Sequence, residues 1–139
     1  KRGREEVQKE WPSSKTWAMF AGGSSGGAKC SQWMGPLLSE IPNTNLRGLF
    51  LSACNEGRFF DYVMDDLKVS RKVLRGLKVA ISTGKNDKLV SEDSRLEVLD
   101  MVEDAGIRSI KNLRNDGGHG MNKENFAEAL DWLLLPKED

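Results

Sequence analysis

Cysteine and long hydrophobic runs are scarce in this sequence, and each scarcity excludes a class of protein. The two cysteines, Cys30 and Cys54, are too few for a disulfide scaffold and lack the spacing of metal ligands. Both fit small buried apolar residues better than reactive thiols. No stretch approaches the roughly 20 consecutive apolar residues of a transmembrane helix. We therefore expect no membrane-spanning segment and no membrane partner.

An excess of charge of either sign is also absent. Lys and Arg together number 21, and Asp and Glu together number 21, so the formal net charge of the 139 residues is zero. A balanced chain has no single-sign field that would attract nucleic acid or anionic lipid, which argues against a nucleic-acid partner. A chain of this length is long enough to bury roughly two thirds of its unfolded surface in one core. We treat residues 1–139 as a single domain.

Four short apolar runs alternate with longer segments of helical character, a pattern typical of β-α-β units around a parallel sheet. The predicted strands are residues 16–21, 46–53, 77–83 and 107–113. The third run has the least polar interruption and suits a strand that is covered on both faces. The segment 55–75 has no clean period, and we predict that it is only partly helical. The sequence therefore predicts an α/β fold with a parallel sheet of about four strands and helices on both faces.

Two helices have clear signals at their ends. The first follows the cap candidates Ser91 and Asp93 and stops at Gly106. Its apolar residues recur at every third position, at Leu96, Leu99 and Val102. The last helix has Asn122 as a cap and Pro136 as a terminator. Its predicted apolar stripe consists of Phe126, Ala129, Leu130, Leu133 and Leu134.

A serine in a glycine-rich turn follows the first predicted strand. Residues 22–27 read Gly-Gly-Ser-Ser-Gly-Gly and lead into a segment that can continue as a helix. Strand, tight glycine turn and helix are the context of a G-x-S-x-G nucleophile elbow. Two registers fit, with Ser24 or Ser25 as the nucleophile; in the second, the Gly26 N–H is the oxyanion donor. The same turn could instead bind phosphate, or its serine could simply cap the helix.

An aspartate and the only histidine follow the third and fourth strands. Asp87 lies just past a strand end, where parallel sheets collect functional groups, although aspartate also favours turns for local reasons. His119 lies in a glycine-rich loop, and imidazole is well suited to proton transfer near neutral pH. Asp116 is a second carboxylate candidate, ranked lower because it is only three residues from the histidine. Serine, aspartate and histidine occur in the chain order of the α/β-hydrolase triad.

From about Trp17 to Leu135 the chain resembles the second half of an α/β hydrolase, similar to dienelactone-hydrolase and polyhydroxybutyrate-depolymerase-like esterases. The resemblance is carried by the glycine-serine turn, by residues 79–87, by the G-G-H-G loop and by the terminal A-L-D-W-L helix. Gly-x-Ser-Gly-Gly-Ala looks like a hydrolase elbow and favours Ser25, whereas Gly-x-Ser-Ser-Gly-Gly-Ala resembles the depolymerase elbow.

The resemblance implies a serine hydrolase that cleaves a carboxylic ester through an acyl-enzyme. In that reaction Ser25, or alternatively Ser24, attacks the acyl carbonyl, His119 transfers the proton, and Asp87 orients the imidazole. The implied partner is a small-molecule ester, and no cofactor or metal is required. Glu56 and Arg58, which follow the second strand, are further candidates for lining the substrate site.

The chain departs from the resemblance because the strands that precede the elbow, and the loop that supplies a second oxyanion N–H, are not among residues 1–139. We expect the first strand to form a sheet edge that pairs with a second copy of the chain or with a missing N-terminal segment. Two other functions stay open. One is a non-catalytic binding or assembly half-domain. The other is a nucleotide-binding module, which is disfavoured because the sequence lacks the P-loop lysine pattern and a true G-x-G-x-x-G.

Overall fold

Four parallel strands form a sheet in which they lie in the order of the sequence. The computed structural model describes residues 2–136. The strands are β1 (Ala18–Ser24), β2 (Asn45–Ser52), β3 (Lys78–Gly84) and β4 (Ser109–Asn115). Each strand is parallel to the next, in the order β1-β2-β3-β4. The carboxyl ends of all four strands therefore lie at one edge of the sheet, where the predicted site residues follow them.

Helices connect the strands and cover both faces of the sheet. They are α1 (Arg2–Glu10), α2 (Gly26–Ser39), α3 (Phe59–Asp65), α4 (Arg71–Gly76), α5 (Glu92–Asp104) and α6 (Lys123–Leu134). A short 3-10 turn at Pro12–Thr16 joins α1 to β1, and the segment 55–75 contains two short helices, as predicted. None of the helices within residues 2–136 has the length and apolar composition needed to cross a bilayer. The predicted α/β architecture is confirmed.

Two apolar clusters, one on each face of the sheet, form the core. The larger cluster joins β2 and β3 to α2, α3, α4 and α5, with Phe60 as its largest fully buried side chain. The smaller cluster lies between the other face and α6. Strand β3 is buried along its whole length and contributes Val79 and Ile81 to the larger cluster and Ala80 to the smaller one. This alternation is the ordinary period of a strand, and it confirms that β3 is covered on both faces.

Both predicted helix starts have a side-chain cap. Ser91 Oγ accepts a hydrogen bond from the Ser94 N–H at 3.1 Å, so Ser91 rather than Asp93 caps α5. Asn122 Oδ1 accepts from the Asn125 N–H at 2.9 Å and caps α6. These bonds satisfy N–H groups that have no partner inside the helix.

The predicted apolar face of α5 is wrong in one part. Leu96 is 45% exposed, whereas Val98 and Val102 are fully buried, together with the stem of Arg95. The reason is helix geometry: with about 3.6 residues per turn, Leu96 lies roughly 120° around the helix from Val102. Residues spaced by three positions therefore drift around the helix, and Leu96 no longer faces the sheet. Cys30 also departs from expectation, because its side chain is exposed, while Cys54 is buried as predicted.

Strand β1 is an edge of the sheet, as expected. No strand within residues 2–136 pairs with its outer side. An apolar groove of about 250 Å³ lies between β1 and α6 and is lined in part by Phe20, Phe126 and Leu130. Phe126 and Leu130 are 40% and 38% exposed, so the predicted stripe of α6 is only partly covered. The occupant of this edge, a second copy or a further segment, stays a prediction.

A carboxylate at the start of α5 connects this helix to β4 and gives a test of acid stability. Glu92 Oε2 accepts hydrogen bonds from Arg95 Nε at 3.0 Å and from Arg114 Nη1 at 2.8 Å. The hydrogen bonds from Arg95 and then Arg114 lower the pKa of Glu92 from 4.5 to about 2. The folded state therefore favours the carboxylate. The resulting stabilisation is present above the unfolded pKa and is lost as the pH falls towards the folded pKa.

We expect Glu92→Gln to lower the free energy of unfolding slightly at about pH 6, because the ion pair is exposed. The difference from the native chain should disappear between the two pKa values, 4.5 and about 2. Urea unfolding curves, recorded at a series of pH values, give the free energy of unfolding of both chains. Glu97→Gln, an exposed position on the same helix, is the control. A difference between the native chain and Glu92→Gln that persists unchanged at the lowest pH would contradict the prediction.

Candidate active site

Ser25 lies in the turn between β1 and α2 in a backbone conformation that is unusual for a residue with a side chain. Its φ is 54° and its ψ is −115°. Positive φ favours glycine, and other residues adopt it where the surrounding structure enforces it. Here the Ser25 N–H donates to the Ser52 carbonyl at 2.8 Å, and the Ser25 carbonyl accepts from the Lys29 N–H at 3.2 Å. Ser24, by contrast, is the last residue of β1 and pairs in register with Ser52.

A close approach of backbone to backbone accounts for the glycine two residues before Ser25. A Cβ atom at Gly23 would lie 2.5 Å from the carbonyl carbon of Gly27 and 2.8 Å from its oxygen. These are the first and last glycines of the motif centred on Ser25, where strand and helix must approach closely. Gly22 meets a different neighbour, because a Cβ atom there would lie 2.8 Å from the carbonyl oxygen of Phe50. The packing therefore favours the register centred on Ser25.

Helix α2 begins at Gly26, immediately after Ser25. The first N–H groups of a helix have no partners within the helix, and this end carries a partial positive charge. The Gly26 N–H, which is the expected oxyanion donor, belongs to this group. Negative charge that develops beside Ser25 would be stabilised at this helix end.

Asp87 and His119, predicted from two separate loops, are in direct contact. Asp87 Oδ2 lies 2.9 Å from His119 Nδ1. The other carboxylate oxygen, Oδ1, accepts hydrogen bonds from the N–H groups of Leu89 at 2.8 Å and Val90 at 3.1 Å. The Asp87 side chain is fully buried, whereas the His119 side chain is 29% exposed. The carboxylate is thus fixed behind a ring that solvent can reach.

The contacts of Asp87 favour its ionised form. Burial raises the pKa of Asp87, but the hydrogen bond with His119 and those from the Leu89 and Val90 N–H groups outweigh burial, and the pKa lies below its ordinary value of 3.8. Asp87 is therefore a carboxylate at neutral pH. A carboxylate at Nδ1 favours the imidazole tautomer with its proton on Nδ1, which leaves Nε2 as a proton acceptor.

The loops that follow β3 and β4 run side by side and bring Asp87 and His119 together. The Lys85 N–H donates to the Asn115 carbonyl at 2.8 Å, and the Asn86 N–H donates to the Gly117 carbonyl at 3.0 Å. Asn86 Nδ2 also donates to the Asp116 carbonyl at 2.6 Å. The Asp116 side chain is 92% exposed and lies 3.5 Å from Lys85 Nζ. The carboxylate that contacts the histidine is therefore Asp87, as the sequence ranking favoured.

Ser52, at the end of β2, contacts both the serine turn and the histidine loop. Its carbonyl accepts from the Ser25 N–H at 2.8 Å, and its hydroxyl donates to the Gly120 carbonyl at 3.2 Å. Gly120 directly follows His119 in the chain. The turn and the two loops thus meet at the carboxyl edge of the sheet, the usual place for ligand sites in parallel sheets. Sequence reasoning missed Ser52, because one serine at the end of an apolar strand carries no local signal of such contacts.

Glu56 and Arg58 follow β2 at the same edge, and Glu56 contacts the first two turns of α2. Glu56 pairs with Lys29 Nζ at 3.2 Å and with Arg58 Nε at 2.7 Å. The fully buried Gln32 donates from Nε2 to the Glu56 carbonyl at 2.7 Å. These contacts fix the segment after β2 to the helix that starts beside Ser25. Whether Glu56 and Arg58 line a substrate site stays a prediction.

Comparison with known proteins gives matches at the level of structure. No family model matches the sequence, and no curated protein is significantly similar to it in sequence. An acyl-protein thioesterase 2 from Zea mays has a similar structure, with a TM-score of 0.62 and 16% identity over 81% of this chain and 53% of that chain. A carboxylesterase from Bacillus cereus is similar with a TM-score of 0.62 and 22% identity over 93% of this chain and 54% of that chain.

An uncharacterized protein from Bacillus cereus is also similar, with a TM-score of 0.59 and 19% identity over 95% of this chain and 43% of that chain. The chain therefore spans about half the length of these structures. The thioesterase and the carboxylesterase are α/β-hydrolase-fold proteins. By its parallel sheet, by the helices on both faces and by these matches, the chain has an α/β-hydrolase fold, of which it forms about half.

Proposed function

We propose that the protein is a serine hydrolase that cleaves a carboxylic ester through an acyl-enzyme. Ser25 is the nucleophile, His119 is the general base and acid, and Asp87 orients the imidazole. The observation that carries the proposal is the contact of 2.9 Å between the buried Asp87 carboxylate and His119 Nδ1. A serine hydroxyl is activated by a base that a third group orients, and the Asp87–His119 pair supplies the oriented base at the sheet edge where Ser25 occupies a strained turn.

In the first half of the reaction, Ser25 Oγ attacks the acyl carbonyl while His119 Nε2 accepts the hydroxyl proton. Asp87 stabilises the imidazolium and does not itself become protonated. The negative charge on the former carbonyl oxygen is met by the Gly26 N–H. When the tetrahedral intermediate collapses, His119 returns the proton to the departing alcohol oxygen, and the acyl group remains on Ser25.

In the second half, water takes the place of the alcohol. His119 Nε2 accepts a proton from the water as its oxygen attacks the acyl carbonyl of the acylated Ser25. Collapse of the second intermediate releases the carboxylic acid, and the proton on His119 passes back to Ser25 Oγ. The cycle consumes one water and needs no redox partner.

The structural neighbours favour this reaction class, because one is named a thioesterase and another a carboxylesterase. Their identities of 16% and 22% are low, so the argument for this chain depends on its own residues. The proposal for this chain depends on the backbone conformation of Ser25 and on the contact between Asp87 and His119.

A fluorophosphonate probe tests the proposal. We expect one adduct per chain by intact mass, located at Ser25 by peptide fragmentation, because such probes react with activated serines. The adduct should be absent from His119→Ala, which lacks the base, and from the native chain unfolded in urea. Circular dichroism establishes that the native chain and His119→Ala are folded in the labelling buffer and that the sample in urea is not. A folded native chain that forms no adduct, or one labelled equally well without His119, would contradict the proposal.

A second candidate function is a non-catalytic binding or assembly module of the same fold. One observation favours it: the outer edge of β1 and the adjoining groove of about 250 Å³ are apolar and partly exposed. An exposed apolar edge of this kind tends to pair with another chain. Absence of the adduct, together with self-association that rises with concentration in sedimentation experiments, would favour this second function.

A further inference from the structure

We propose that Ser52 is a positioning residue that holds the His119 loop against the Ser25 turn. The inference rests on the proposed function, since it concerns the placement of the proposed base relative to the nucleophile. Ser52 is fully buried at the carboxyl end of β2. Its backbone carbonyl contacts the serine turn, and its side-chain hydroxyl contacts the histidine loop.

The histidine loop has no apolar side chain that could fix it to the core. Residues 115–120 read Asn-Asp-Gly-Gly-His-Gly, and residues 116–119 are exposed. Glycine has the largest backbone freedom of all residues, so hydrogen bonds must set the course of such a loop. Before His119, the Gly117 carbonyl accepts from the Asn86 N–H. After His119, the Gly120 carbonyl accepts from the Ser52 hydroxyl at 3.2 Å, and Gly120 has a φ of 143°.

Ser52 contacts both the turn that carries Ser25 and the loop that carries His119, so one residue of the sheet links the proposed nucleophile to the proposed base. The Ser52 carbonyl accepts from the Ser25 N–H at 2.8 Å, while its hydroxyl reaches the residue next to His119. Both contacts come from a central strand that pairs with β1 on one side and β3 on the other. Loss of the hydroxyl would leave the Gly120 carbonyl without this donor. A displacement of about 1 Å in a catalytic group can cost as much as 10²-fold in rate.

Ser82 provides a matched comparison on the neighbouring strand. It is the register partner of Ser52 in the β2–β3 pair and is 1% exposed. Its hydroxyl accepts from Asn125 Nδ2 at 2.9 Å, which belongs to the first turn of α6. Removing either hydroxyl therefore breaks one hydrogen bond of a buried serine at the same level of the sheet. Only the Ser52 bond reaches the residue adjacent to His119.

The test uses the fact that His119 is the only histidine in the chain. Its ring protons give one set of NMR signals, which report on the base whether or not the chain is active. In Ser52→Ala we expect the ring signals to shift and broaden, and kcat to fall about tenfold with KM changed less than about twofold. In Ser82→Ala the ring signals and kcat should stay close to native, within about twofold. All samples are measured at a temperature at which circular dichroism shows them to be folded.

Unchanged ring signals in a folded Ser52→Ala chain would overturn the inference. Equal changes in Ser52→Ala and Ser82→Ala would also overturn it, because they would report a general loss of packing. If Ser52→Ala does not fold, Ser52→Cys replaces it, since a thiol is a weak donor and should produce the same change to a smaller extent. A native chain without a fluorophosphonate adduct contradicts the proposed function alone, because the NMR comparison does not depend on turnover.

Discussion

Ser25→Ala should reduce the hydrolysis of a carboxylic ester at least 10³-fold, whereas Ser24→Ala should retain it within about tenfold. In complete serine hydrolases the loss of the nucleophile costs about 10⁶ in kcat. The bound of about 10³ is set lower because the oxyanion donor and substrate binding survive the loss of the serine and leave residual catalysis.

The two serine variants form a matched pair, because the residues are adjacent and the change is identical. Alanine keeps the Cβ atom, so the backbone strain at Ser25, with its φ of 54°, is left as it is. Ser24 belongs to β1, and its backbone pairs with Ser52. Hydrolysis of p-nitrophenyl acetate by folded samples gives kcat/KM for each. Loss of activity in Ser24→Ala with retention in Ser25→Ala would reverse the assignment of the nucleophile.

The sequence predicted the strands well because each is a short apolar run between polar segments. The run 77–83 has little polar interruption, and the structure buries all of β3, Lys78–Gly84. The helix starts were predictable for a local reason, since Ser91 and Asn122 cap their own helices through bonds to the residues that follow. Such caps can be predicted from the sequence because the capping residue and its hydrogen-bond partner are only three residues apart.

Features that depend on contacts between residues far apart in the sequence were harder to predict. The spacing of Leu96, Leu99 and Val102 indicated one face of α5, but the sheet lies against Val98 and Val102. Apolar composition does not say which side of a helix meets the sheet when apolar residues occur all around it. The predicted stripe of α6 was right for Ala129 and Leu133, which are buried, whereas Phe126, Leu130 and Leu134 are 40%, 38% and 61% exposed.

In the candidate site, too, some features could be predicted from the sequence, and others depend on contacts between distant parts of the chain. The position of Asp87 and His119 after successive predicted strands was sufficient to expect them at one edge of the sheet, although they are 32 residues apart. Choosing Asp87 over Asp116 with certainty requires the pairing of the two loops. The proposal of Ser25 rather than Ser24 as the nucleophile gains support from the approach of Gly23 to the Gly27 backbone. Neither contact has a counterpart in local sequence.

Asp87→Asn should lower kcat by about 10² to 10⁴. The reason is the tautomer of His119. The Asn side chain can still accept from the Leu89 and Val90 N–H groups, which now contact Oδ1 of Asp87 at 2.8 and 3.1 Å. The amide NH₂ group then faces His119 Nδ1 and donates to it. The imidazole proton is driven to Nε2, where the base must be free.

The matched control is Asp116→Asn, the same change in the loop that carries His119. The Asp116 side chain is 92% exposed and lies beside Lys85, so its neutralisation should alter kcat less than about twofold. Steady-state hydrolysis and a thermal unfolding curve for each variant separate loss of function from loss of fold. Equal kcat values for Asp87→Asn and the native chain would mean that the carboxylate only stabilises the loop. A large loss confined to Asp87→Asn, in a chain that stays folded, would establish that the buried carboxylate acts through the histidine.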